Sequence, residues 1–340
     1  MTLFAETWVA DLARALDLPI NVVLVLGSVF LALGVGSVFR LLAIRRAPRD
    51  KRKQRIASLG TWWVLGVVFA TAVLLGPVAG IVFMGIASFL GLREYLTLTS
   101  VALEGGTSQV LAYSAVPLNY LWIYLGWYEV FWVFVPLYVC LLFPARRVLT
   151  GTTTGFIRAV GCLSWGVLLL VFCLSHAAMF LTLPPTANPQ GGVYGWFIYL
   201  VLLTETDDIA QALWGRKFGR RRVTPTVSPN KTWEGLVLGV LTTVVLAVAL
   251  APVLTPMMSR SANAADDSGI ALAVCRTVLA GLIIAIGGFF GDITMSAVKR
   301  DLGVKDSGTM LPGMGGILDR IDSLAFSAPL LFYYVYFLTG

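Results

Sequence analysis

Apolar and polar positions are segregated along this chain into long blocks rather than alternating. Uncharged or nearly uncharged runs lie at 20–43, 60–76, 78–92, 109–126, 128–144, 159–182, 192–213, 235–257, 271–297 and 323–339, with charged stretches between many of them. Such runs suit membrane-spanning helices, which take ~20 apolar residues, and not barrel strands, which read as alternating segments of about ten. The pattern predicts nine or ten spans, the count turning on whether 60–92 is cut at Gly76-Pro77. The first 19 residues carry Glu6, Asp11 and Asp17 against Arg14, and so lack the positive start of a secretory leader. Phe4, Trp8, Leu12 and Leu16 recur every four residues and predict a short helix lying in the membrane interface.

Composition agrees. Hydrophobic residues make up 58% and charged residues 13%, with a mean hydropathy of +0.83. Soluble domains carry about 25% charged residues. This excludes a soluble enzyme and a disordered chain and predicts an all-α, polytopic transmembrane bundle. The formal net charge of +7 would fit a nucleic-acid partner only if the cations formed one surface. They sit instead in clusters between apolar runs, as topology signals do, so no nucleic acid is expected. Placing 45–55 in the cytoplasm and alternating ten spans leaves only Arg14, Arg260 and Arg276 at the outer face. Thus 22 of the 25 basic residues share the inner side, while the outer loops 183–191 and 258–270 hold few cations and the acids Asp266 and Asp267. The expectation is a multi-pass protein of the cell inner membrane with both termini outside. Residues 1–19 form an interfacial segment, 20–200 a transmembrane scaffold and 201–340 a region that holds the chemistry on the cytoplasmic side.

Cys140, Cys162, Cys173 and Cys275 all fall inside apolar runs and read as buried small hydrophobes. His176 is the one histidine, which excludes a His-based metal site. The remaining chemistry lies in 204–322. Asp292 ends Gly287-Gly288-Phe289-Phe290-Gly291-Asp292, and a carboxylate at such depth is costly unless it has a task. Ser296, Lys299 and Arg300 follow at i+4, i+7 and i+8, on one helical face. A snorkelling Lys-Arg pair with Asp292 as its partner is an equal reading of that segment alone. Next, a Pro-Gly and Gly-Gly loop leads into a helix start with Asp319 and Asp322 at i, i+3. Glycine loops before helix N-termini present N–H groups to phosphates, and few carboxylates beside cations suit a Mg²⁺–phosphate site. Helix-start acids favoured by the macrodipole are the plainer alternative. The third piece, Ser228-Pro229-Asn230-Lys231-Thr232-Trp233-Glu234-Gly235, offers a lysine between hydroxyls. Upstream, Asp207 and Asp208 close a run, and one of them is expected to face the site.

The stretch Ser296–Asp322, with Lys305-Asp306, Pro312-Gly313-Met314-Gly315-Gly316 and Asp319-Arg320-Ile321-Asp322, closely resembles the C-terminal signature of CDP-diacylglycerol synthases, the phosphatidate cytidylyltransferases. Ser228–Gly235 resembles their upstream lysine motif. The likeness covers about 204–325. It implies transfer of CMP from CTP to phosphatidate with release of pyrophosphate. It also implies Mg²⁺ held at Asp292 and Asp319, with Asp322 in or beside the set, and cations at Lys231, Lys299, Arg300, Lys305 and Arg320. Ser228, Ser296, Asp306, Gly315, Gly316 and Asp208 complete the expected substrate-binding set. Met314 departs from the family, which has histidine there. The attacking phosphate monoester, with a second pKa of about 6, is already largely dianionic at neutral pH and needs no base.

On this reading phosphatidate enters from the inner leaflet, CTP from the cytoplasm, and the partners are membrane lipids; homodimer formation is left open. Two competing functions keep the same charges. A CTP-dependent polyprenol- or phytol-type lipid kinase would release CDP, and a transporter of an anionic lipid would catalyse nothing. The absence of an inverted repeat and the clustering of charge at one face weigh against the transporter.

Overall fold

A computed structural model describes residues 2–45, 48–99, 106–151, 153–258 and 267–339. Arg260 and Asp266, both assigned to the outer side, lie outside the described residues. The described chain is helical almost throughout. Eight of its helical stretches are long and apolar enough to cross a membrane, so this is a multi-pass membrane protein.

After α1 (Thr2–Ala15), α2 (Ile20–Arg45) and α3 (Arg49–Leu74) form the first pair. α3 begins well inside the basic stretch expected to be loop, so the cations Arg52 to Arg55 ride on a helix. α4 (Pro77–Leu98) is separate from α3. Gly76 takes φ 106°, which a side chain would resist, and Pro77 supplies a ready-made first helical φ. The cut at Gly76-Pro77 is therefore real. α5 (Gly106–Leu125) follows. Two rods then carry π-helical inserts: Phe134–Val139 between α6 (Tyr128–Val133) and α7 (Cys140–Leu149), and Leu168–Cys173 between α8 (Phe156–Val167) and α9 (Leu174–Met179). α10 (Gly195–Phe218) leads into a small antiparallel hairpin, β1 (Arg222–Thr224) and β2 (Ser228–Thr232), then α11 (Trp233–Leu254), α12 (Asp267–Asp301) and α13 (Leu318–Thr339).

Ten rods thus match the ten apolar runs. The two that fall short of the spanning criterion are α5 and α10, and α10 does so because it carries the acids. The core is off-centre. About half of the most apolar windows of α4 and α13 is buried (50% and 56%), against 17% in α2, whose Leu24, Leu31 and Phe39 point outward as lipid-facing side chains do. His176 is fully buried among the rings of Phe131, Phe172, Phe332 and Tyr333. Among the described residues the cysteines form no disulfide, and they are less enclosed than expected: Cys275 is exposed on α12 and the other three are half-buried.

Candidate active site

The site starts on α10. Asp207 is buried and accepts hydrogen bonds from Gln211 Nε2 at 2.6 Å and from Thr243 Oγ1 of α11 at 3.0 Å. Asp208, one residue on, is the one that meets the hairpin lysine.

The hairpin exists to deliver that lysine. Glu234 accepts from the backbone N–H groups of Arg220 (3.0 Å) and Arg221 (3.2 Å), Arg300 Nε donates to the carbonyl of Val227 (3.2 Å), and the Thr232 hydroxyl caps α11 by accepting from Gly235 N (3.1 Å). Anchored on three sides, β2 turns Lys231 back under the bundle. Its Nζ lies 2.6 Å from Asp292 Oδ2 and 3.9 Å from Asp208 Oδ1, and donates to Gln211 Oε1 at 3.0 Å. It also stands 5.9 Å from the centre of the Phe289 ring. Burial alone would lower the lysine's pKa, but Asp292 and Asp208 outweigh it and hold the pKa above the ordinary lysine value. Lys231 is therefore a fixed positive charge at neutral pH.

Asp292 also accepts from Ser296 Oγ at 3.3 Å. Beside it, Gly291 lies so close to the carbonyl of Asp322 that no side chain would fit between α12 and α13. Asp322 is buried at this seam and accepts from the N–H of Ser323 at 2.9 Å. Lys299, a turn beyond Ser296, pairs with Asp319: Nζ to Oδ1 is 2.6 Å. The other Asp319 oxygen accepts from the N–H groups of Ser307 and Gly316, both at 3.1 Å. Asp292, Ser296 and Lys299 thus face inward as their spacing predicts. Arg300 does not: it is exposed and donates to the carbonyls of Val227 and Val304.

The loop from 302 to 317 closes a cavity of about 560 Å³ against α3, with Gln54, Ser58 and Trp62 on one wall and Lys305, Asp306, Gly315 and Arg320 on the other. Met314 lines it too. Ser228 opens β2, paired with Thr224. The expected three-aspartate set of Asp292, Asp319 and Asp322 does not gather as one cluster. Among the described residues no three His, Cys, Asp or Glu side chains stand close enough to hold a metal ion. Each carboxylate has its own partner instead: Lys231 for Asp292, Lys299 and two amides for Asp319, a backbone amide for Asp322.

Three participants escaped the sequence reading. Gln211 and Thr243 are neutral and sit in apolar runs; only the i+4 spacing of Gln211 from Asp207 hinted at it. Glu94, beyond the expected end of a span, accepts from the N–H of Leu318 at 2.9 Å. Its signal was a carboxylate two residues past the end of an apolar run, after Arg93.

The sequence profile described as the cytidylyltransferase family matches residues 53–338. The chain is 42% identical over 311 residues to the uncharacterized protein YnbB of Escherichia coli (strain K12), covering 91% of this chain and 97% of that one. It is 35% identical over 152 residues to a phosphatidate cytidylyltransferase of Haemophilus influenzae, 45% of this chain and 49% of that enzyme. A chloroplastic phosphatidate cytidylyltransferase of Arabidopsis thaliana is 34% identical over 152 residues, 43% of this chain and 35% of the relative. The matches to these two named enzymes therefore span at most about half of either partner.

Proposed function

We propose, for a chain that belongs to the cytidylyltransferase family and is a membrane nucleotidyltransferase, that it transfers CMP from CTP to phosphatidate. The observation that carries this reading is Lys231 held between Asp292 and Asp208; a glycine-rich loop closes a cavity lined by two further cations, Lys305 and Arg320.

In the proposed reaction a phosphate oxygen of the lipid attacks the α-phosphorus of CTP. The new P–O bond forms as the bond from the α-phosphorus to the β-phosphate oxygen breaks, and pyrophosphate leaves with that electron pair. No proton has to be removed from a dianionic phosphate, so the protein's work is placement and charge neutralisation. Lys231 offers a fixed positive charge at the acidic cluster, and Lys305 and Arg320 line the cavity into which a polyphosphate would run. Lys299 holds Asp319, which in turn holds the loop. The donors fit a magnesium ion: Asp208 Oδ1 is buried and accepts no hydrogen bond, and Asp292 lies across Lys231 from it. Mg²⁺ takes one or two carboxylates and leaves its other positions to water and phosphate oxygens. Asp292 and Asp208 would hold it, and when bound it would offset the charge of the polyphosphate. In this reading the site faces the cytoplasm and phosphatidate arrives from the inner leaflet.

The test is incubation of membranes containing the protein with CTP labelled in the cytosine ring, phosphatidate and Mg²⁺, followed by organic extraction. Label in the lipid phase as CDP-diacylglycerol is the expected outcome. Labelled CDP with a phosphorylated alcohol would replace the synthase by a lipid kinase, and no turnover with either acceptor would remove the reading.

A further inference from the structure

Glu94 belongs to α4, in the half of the chain read from the sequence as scaffold. Yet its side chain is buried against the glycine-rich loop, with 8% of the residue exposed. Oε2 accepts from the N–H of Leu318 at 2.9 Å and from the hydroxyl of Ser307 at 3.3 Å. Leu318 is the first residue of α13, so its N–H is one of the donors a helix leaves without an internal partner, and a carboxylate there also meets the positive end of the helix dipole. Ser307 stands in the first half of the same loop. One carboxylate from a distant helix therefore ties the loop's first half to its exit.

Packing says the same. Gly316 lies against both the Ser307 hydroxyl and the Glu94 carboxylate, so closely that a Cβ would overlap both. At Gly308 a Cβ would stand 2.7 Å from Glu94 Oε1. The carboxylate fills the throat of the loop, and glycine at these two places makes room for it. Asp319 reinforces the closure through the amides of Ser307 and Gly316. Farther out, the Thr61 hydroxyl of α3 donates to the Pro312 carbonyl at 2.8 Å and pins the tip.

We propose that Glu94 is a positioning residue for the nucleotide. It fixes segment 307–318 so that Lys305, Gly315 and Arg320 stand at set places around the cavity before substrate arrives. What the loop binds rests on the function proposed above; the clamp itself does not. Glu94 acts through the loop, since its hydrogen bonds go to Ser307 and Leu318 and not to the carboxylates around Lys231.

The experiment compares E94A, E94Q and S307A with wild type, purified in detergent with lipid. E94A is expected to raise the KM for CTP at least tenfold while the KM for phosphatidate stays within twofold. E94Q keeps one carbonyl oxygen for the Leu318 N–H and should recover most of that loss. S307A removes one donor without touching α4 and should shift the same KM in the same direction, so the idea survives a poorly folding E94A. KM does not depend on how much of the protein is folded. A fall in kcat alone, with KM for CTP unchanged in all three variants, would therefore overturn the proposal. A second readout needs no turnover: hydrogen exchange in peptides covering 303–318 should be faster in E94A and S307A than in wild type. Equal exchange would also overturn it. If wild type transfers no cytidylyl group, the reaction falls while the exchange experiment still decides on the clamp.

Discussion

Lys231 ties the site together, because one ammonium meets Asp292, Asp208 and, through Gln211, the buried Asp207. Removing one partner of a buried ion pair leaves the other charge uncompensated, which costs about 3–5 kcal/mol. Lys231→Met strands Asp292 beside Asp208. Asp292→Asn is milder, since Lys231 keeps Asp208 and Gln211. The double variant removes the stranded Asp292 charge again. In detergent, K231M should unfold roughly 4–8 °C below wild type, and K231M/D292N should unfold above K231M. A double variant no more stable than K231M would show that the two residues are not energetically paired. All three should lose turnover.

At the scale of elements, the seam between α12 and α13 sets the distance between Asp292 and Asp322, and Gly291 sets the seam. A Cβ at 291 would meet a backbone carbonyl, which cannot rotate aside. Gly291→Ala should therefore push the helices apart, cost about 1–3 kcal/mol and lower activity more than tenfold. Gly27→Ala on α2, where no atom lies within 4 Å of the added carbon, is the control. It should leave activity unchanged and the unfolding temperature equal or slightly higher, since alanine is the better helix former. Equal loss from both changes would contradict the seam argument. This seam was half legible in the sequence. The Gly-Gly-Phe-Phe-Gly run before Asp292 announced a close approach, but its partner, the carbonyl of Asp322, belongs to a contact that no local pattern encodes. The hairpin at 222–232 was invisible for a different reason. Its strands are short, charged and held by Glu234 and Arg300 rather than by an apolar face, so no period-2 signal exists to read. The π-helical inserts at 134–139 and 168–173 keep the same apolar composition as the turns around them and leave no trace in hydropathy.

At the scale of the molecule, the spans were legible because lipid imposes a length and a composition on each of them. Glu94 and Thr61 reach the loop from α4 and α3, in the half expected to be scaffold. What hydropathy leaves to experiment is sidedness, and charge makes a definite statement about it. If all ten rods cross, they return the chain to the side from which it set out, and 22 of 25 basic residues fall on the opposite side when the stretch 45–55 is cytoplasmic. The cations of the site, Lys231, Lys299, Lys305 and Arg320, are among those 22. The orientation that obeys the positive-inside rule is therefore also the one that opens the site to cytoplasmic nucleotide. In a bacterial host, alkaline phosphatase fused after residue 340 should be active and green fluorescent protein at the same place dark, while fusions after Thr150, in a loop that follows Arg146 and Arg147, should behave in the opposite way. A fluorescent C-terminal fusion would mean an odd number of crossings. One of the two rods that fall short of the spanning criterion, α5 or α10, would then lie within one leaflet. If that rod were α10, the Lys231 site and the basic clusters after it would need a new assignment of sides.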